Sequence, residues 1–200
     1  INRRDGTCGD EGILSGAALN AAGNPEGSMG IASGDADNDG DEDLFVTNII
    51  GETFALYEND GKANFEDTRS RWSLAQPTAP FTGFGTEWID YDNDGALDLF
   101  ATNGAVNVVE SPRGQPSPFR MRTLLFHNGG TRRFANVSGE AGPAFALDHV
   151  GRGAAFGDLD NDGDPDILVS NNNGPAGASV NGVGPGAPGA RVRRRGARRR

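Results

Sequence analysis

Short apolar runs bounded by Gly, Asp and Asn recur along the chain. The clearest are Leu44-Phe45-Val46, Leu99-Phe100-Ala101 and Ile167-Leu168-Val169. Small and apolar residues precede each acidic stretch, as in Ala154-Ala155-Phe156-Gly157. Runs this short, with this punctuation, predict buried β-strands and not helices. Two further stretches predict hairpins, because Asn-Asp-Gly and Asn-Gly-Gly between apolar runs are strong turn signals. One runs from Leu56 to Phe65 and the other from Leu125 to Phe134. A remnant of the same hairpin opens the chain at Asn2-Arg3-Arg4-Asp5-Gly6-Thr7, which puts Cys8 where Phe65 and Phe134 stand.

Each apolar run follows the same acidic pattern, D-x-D-N-D-G-x-x-D. It begins at Asp35, Asp90 and Asp158. Alternate residues at positions 1, 3 and 5 turn three carboxylates toward one point: Asp35, Asp37 and Asp39; Asp90, Asp92 and Asp94; Asp158, Asp160 and Asp162. Gly at position 6 reverses the backbone at positive φ without a Cβ clash. Asn at position 4 (Asn38, Asn93, Asn161) tolerates the left-handed region. Position 7 varies among Asp41, Ala96 and Asp164, which suits a backbone carbonyl ligand. Position 9 is always acidic: Asp43, Asp98 and Asp166. Calcium takes six to eight oxygen ligands, many of them carboxylates, at about 2.3–2.6 Å.

An EF-hand shares the opening of this pattern but needs Glu at position 12. Here that position holds Val46, Ala101 and Val169, none of which ligates. The loop therefore reads as a strand–loop–strand cation site. Plain turn chemistry is the simpler alternative, but a turn needs only one Asp or Asn and one Gly. Four carboxylates crowded together repel one another until a cation relieves them. Magnesium fits less well than calcium because it demands rigid octahedral geometry and keeps its waters.

The loops start 55 and 68 residues apart. Periods of this order, filled with short strands and turns, predict propeller blades. Three units do not close a ring, since propellers have at least four blades. The chain also starts at Ile1, inside a hairpin. It is therefore expected to be a piece of a longer protein, with the remaining blades outside it.

Net charge is −10, but seven of the 18 basic residues lie in Arg191–Arg200. Residues 1–190 carry −17, and fifteen of their acidic residues sit in the three loops. Such a body is not expected to bind nucleic acid or an anionic membrane. No apolar run is long enough to span a bilayer. The single Cys8 excludes an internal disulfide and is expected to fill core space. From Gly174 the composition shifts to Gly, Pro, Ala and Val, then to Arg. The repeat body is accordingly placed at 1–176, and 177–200 is read as a disordered or non-native tail. A basic nucleic-acid-binding tail is the sharper alternative.

With loops and hairpins in place, the chain resembles the FG-GAP/VCBS-type repeat proteins, whose blades are like those of the integrin α-subunit head. More narrowly it is similar to bacterial relatives of cartilage acidic protein that end in an ASPIC/UnbV domain. The residues that carry the likeness are Ser28 to Asn48, Gly83 to Asp90 and Gly151 to Ala176. The resemblance implies an all-β fold: about three blades of an integrin-α-like, seven-bladed propeller with calcium loops between strands. It implies Ca2+ at up to three sites, held by the Asp residues at positions 1, 3, 5 and 9 and the position 7 carbonyl. It also implies export (secreted, periplasmic or cell-surface) and a role in recognition or adhesion, with a protein or carbohydrate ligand. The expected C-terminal domain lies beyond the point of departure after Ala176.

No catalytic constellation emerges. Only His127 and His149 are available as bases. They read as a solvent-facing hairpin position and a residue before a strand. Trp72 and Trp88 read as blade-packing aromatics. A non-catalytic interaction module is thus expected, with the repeat region of a larger secreted hydrolase or lyase as the alternative.

Overall fold

The computed structural model describes residues 2–107 and 119–182, and the backbone of 193–195. It is a partial β-propeller of three four-stranded antiparallel blades. Blade 1 is β1 (Gly30–Gly34), β2 (Asp43–Thr47), β3 (Ala55–Asn59) and β4 (Phe65–Asp67), in that order. Blade 2 is β5 (Gly83–Ile89), β6 (Asp98–Asn103), β8 (Leu124–Asn128) and β9 (Phe134–Asn136). Blade 3 is β11 (Gly151–Gly157), β12 (Asp166–Asn171), β13 (Gly177–Val180) and β14 (Arg193–Arg195). A two-stranded ribbon pairs β7 (Met121–Arg122) with β10 (Asp148–His149). Single-turn helices α1 (Gly12–Ser15) and α2 (Ala75–Thr78) lie in the connections before blade 1 and before blade 2.

The apolar runs form the second strand of each blade, and in blade 2 that strand is buried on both faces. Along β6, Leu99 and Ala101 turn toward blade 1, into a core with Phe45, Phe54, Leu56, Trp72, Trp88 and Phe134. Phe100, between them, turns the other way, into a core with Ile89, Leu125, Phe145 and Ile167. A period of two along a strand buried on both sides leaves no polar positions, so the run is continuous in sequence. Trp72 and Trp88 both pack in the first core, as expected of blade-packing aromatics.

Adjacent blades meet closely at their first strands. A Cβ on Gly30 would collide with the Phe84 carbonyl oxygen, and one on Gly85 with the backbone of Ala154. Glycine is required there by approach, not by turn geometry.

Both predicted hairpins form, pairing Asn59 with Phe65 and Asn128 with Phe134. The opening segment repeats the register, since Asn2 bridges Cys8. Its turn also repeats, with positive φ at Arg4 and Gly6 as at Gly61 and Ala63 and at Gly130 and Arg132. Cys8, however, is exposed and does not fill core space. The bridge is an isolated one, so no sheet face buries the thiol.

Regular pairing continues past residue 176. β13 pairs with β12 through Ile167–Ser179, Leu168–Ala178 and Val169–Gly177, and β14 pairs with β13. The third blade thus continues through at least Asn181, because backbone pairing needs no particular side chain. Apart from the backbone of β14, the Arg-rich stretch 191–200 lies outside the described residues. Among the described residues, no helix is long and apolar enough to cross a membrane.

Candidate metal centres

All three acidic loops connect the first strand of a blade to the second, and all three share one internal hydrogen-bond pattern. The position 1 carboxylate accepts the N–H groups of positions 5 and 6. These bonds are 3.0 and 2.9 Å at Asp35, 3.0 and 3.0 Å at Asp90, and 3.1 and 3.0 Å at Asp158. The position 5 carboxylates of Asp39, Asp94 and Asp162 accept the position 7 N–H. Asn38, Asn93 and Asn161 have φ of 60°, 59° and 62°, and Gly40, Gly95 and Gly163 have φ of 97°, 87° and 95°. The left-handed residues foreseen in the sequence are therefore where the chain turns.

Position 9 has a second role. Asp43, Asp98 and Asp166 are 2%, 0% and 0% exposed. One oxygen of each accepts the position 2 N–H, from Ala36, Tyr91 and Leu159 at 3.0, 3.1 and 2.7 Å. The other accepts the N–H of Asn59, Asn128 and Asn181 at 2.9, 2.7 and 2.7 Å. The carboxylate thus latches the loop to the outer hairpin of its own blade. The same asparagines tie blades together: Asn128 donates to the Ala36 carbonyl (2.9 Å) and Asn181 to the Tyr91 carbonyl (2.8 Å). Loop 2 also touches loop 3 directly, through Asn93 Nδ2 and Asp164 Oδ1 at 2.8 Å.

Among the described residues, the geometry gathers four triads whose ligand atoms lie within 4.8 Å of one another. They are Asp35, Asp37 and Asp39; Asp90, Asp92 and Asp98; Asp158, Asp160 and Asp166; and Asp92, Asp94 and His127. The side chains of Asp41, Asp43, Asp162 and Asp164 stand outside these triads, and Ala96 offers only its backbone.

These donors fit a hard cation. Asp37 Oδ1 and Asp92 Oδ1, both at position 3, are buried and have no hydrogen-bond partner. A buried, unpaired carboxylate oxygen is costly unless a cation meets it. The other oxygen of each faces a basic side chain. Asp37 Oδ2 accepts from Arg132, on the hairpin of blade 2, which also bonds Glu58 Oε1 at 3.2 Å. Asp92 Oδ2 lies 3.5 Å from His127 Nδ1.

Without a cation these carboxyls resist ionisation. Burial pushes Asp43 up to about 6 and Asp98 up to about 7, although backbone N–H groups favour their charged forms. Asp37 and Asp92 are raised too, chiefly by burial.

His127 corrects the reading of a solvent-facing hairpin position. Its ring is 28% exposed and turned into the second loop, with Nδ1 3.2 Å from Asp98 Oδ1. A signal was present in the sequence: His127 immediately precedes Asn128, as Glu58 precedes Asn59.

Residues 35–101, which run from the start of the first loop into β6 and include the first two loops, match the model of the FG-GAP-like repeat family. No curated protein matches the chain.

Proposed function

We propose that this chain is a non-catalytic β-propeller repeat module whose blades are set by calcium. The observation that carries the reading is the pair of buried, partnerless position 3 oxygens inside loops that repeat in three blades. The ligands in each site are the carboxylates at positions 1, 3, 5 and 9 and the position 7 carbonyl. They are Asp35, Asp37, Asp39, Asp41 and Asp43; Asp90, Asp92, Asp94, Ala96 and Asp98; and Asp158, Asp160, Asp162, Asp164 and Asp166. Bound calcium offsets the charge that the acidic loops place between strands. It also steadies the turn on which each position 9 latch depends.

Modules of this kind outside the cell bind calcium at about 10⁻⁴–10⁻³ M. That range favours a secreted, periplasmic or cell-surface location and a protein or carbohydrate ligand. The acidic surface disfavours nucleic acid and anionic lipid. The FG-GAP-like match supports a repeat module built for contact.

Calcium at tenfold over its dissociation constant adds about 1.4 kcal/mol per site. Three filled loops therefore raise the melting temperature by roughly 10 °C over chelated protein. Thermal melts in calcium and in EDTA measure this, and coincident curves would remove calcium from the account.

The same melts carry a pH dependence. A carboxyl raised in the folded state stabilises the ion-free fold below its unfolded pKa, near 4. That contribution is lost as pH rises through about 6 for Asp43 and about 7 for Asp98. Calcium requires the ionised form, so its stabilising effect grows over the same window. The calcium-induced shift is expected to be larger at pH 7.5 than at pH 5. An equal shift at both values would mean that these carboxyls are not linked to binding.

A further inference from the structure

The three loops share a backbone, but a different side chain reaches each from the outer hairpin. The residue before the latching Asn is Glu58 in blade 1, His127 in blade 2 and Val180 in blade 3. The latch bond to the position 9 carboxylate fixes the backbone at this point, so the position is delivered to the loop each time. In blade 1 the carboxylate is already engaged. Glu58 Oε1 accepts from Trp72 Nε1 (3.0 Å) and Arg132, and Oε2 accepts from Arg71 (2.7 Å). Val180 has no donor atom. Only blade 2 brings a nitrogen donor to its loop from this position.

We propose that His127 makes the second loop a mixed nitrogen–oxygen site for a borderline transition ion, with Zn2+ the reference case. The first and third loops remain all-oxygen sites. This deepens the proposed function and rests on its reading of the loops as divalent-cation sites. Ligand atoms from His127, Asp92 and Asp94 lie within 4.8 Å of one another. Asp98 and Asp92 oxygens stand 3.2 and 3.5 Å from Nδ1. Two ligands held at about 2.0–2.1 Å in a tetrahedral shell are roughly 3.3 Å apart, so this spacing suits one ion between them. The other oxygen of Asp92, Oδ1, is buried without a partner, so the protein's own donors do not saturate this carboxylate. Tyr91 meets the imidazole edge-on at 6.0 Å between ring centroids, which fixes its orientation. Asp92 also belongs to the triad with Asp90 and Asp98, so oxygen and nitrogen sets overlap in a single loop. Imidazole suits zinc, copper and nickel, whereas carboxylate and carbonyl sets suit calcium and magnesium.

The test uses the whole chain, stripped of metal, with Zn2+ titrated calorimetrically in the presence of saturating calcium. Co2+ serves as a spectroscopic stand-in. His127→Ala removes the ring, and His127→Gln keeps a hydrogen-bond donor for Asp98 without a metal-binding nitrogen. One zinc equivalent is expected in the native chain, weakened at least tenfold by both substitutions, with the nitrogen-ligand signature of bound Co2+ lost. Calcium melts of both variants should still show stabilisation, because the oxygen ligands of all three loops are unchanged. Equal zinc affinity in the native chain and His127→Gln would overturn the proposal and leave His127 as a hydrogen-bond partner of Asp98. Loss of the calcium effect in the native chain would instead remove the reading of the loops themselves.

Discussion

Asp98→Ala is expected to destabilise the fold by about 2–5 kcal/mol in EDTA, and by more in calcium, where the ion at the second loop is lost as well. In a chain of 200 residues this lowers the melting temperature by roughly 5–15 °C. Asp98 is fully buried, and its two oxygens accept the N–H groups of Tyr91 and Asn128. Alanine leaves both donors in a dry site without partners, each at a cost of about 1–3 kcal/mol. The loop then loses its hold on β8. Asn128, which ties blade 2 to the Ala36 carbonyl of blade 1, loses its anchor as well. Asp94→Asn is the contrast. It keeps an acceptor for the Ala96 N–H while removing charge at an exposed position. Its melting in EDTA should stay near that of the native chain, and only the calcium-dependent part should shrink. If Asp98→Ala also melts normally in EDTA, position 9 is a ligand alone and the latch is incidental.

What was legible in the sequence was local. A loop of nine residues with Asp, Asn and Gly at fixed positions specifies its own turn, and the alternation beside it specifies a strand. The hairpins were legible for the same reason, since Asn59-Asp60-Gly61 sets a turn without help from distant residues. What joins the blades was not local. Arg132 reaches Asp37 across 95 residues of sequence, and neither shows any mark of the other. Nor was the closure of blade 1 on itself, where Arg69 after β4 is buried against Glu26 before β1, 43 residues away, with N–O contacts of 2.8 and 2.7 Å. The strand signal of β13 is hidden among the Gly, Pro and Ala between 174 and 188. Spacing marks it instead: Asn181 stands 15 residues past Asp166, as Asn59 stands 16 past Asp43. Blade 2 obscures that interval, since Asn128 lies 30 residues past Asp98.

Trp72→Ala should produce the other large loss, about 3–5 kcal/mol, the usual cost of emptying a buried aromatic site. Trp72 is fully buried between blades 1 and 2 and lies 5.1 Å from Phe134, centroid to centroid. Its backbone carbonyl accepts the Phe134 N–H at 2.9 Å, so the residue joins the blades through main chain and ring together. Its indole N–H also donates to Glu58, which helps hold Arg132 beside Asp37. The cavity and the first metal loop are thus connected. A melting temperature lower by roughly 10–15 °C is expected in EDTA. Saturating calcium should recover only part of it, because no ion replaces the lost contacts. Trp72→Phe keeps most of the packing and loses the hydrogen bond to Glu58, so its loss should be less than half as large. Equal losses from both variants would assign the effect to the Glu58 bond and not to the inter-blade core.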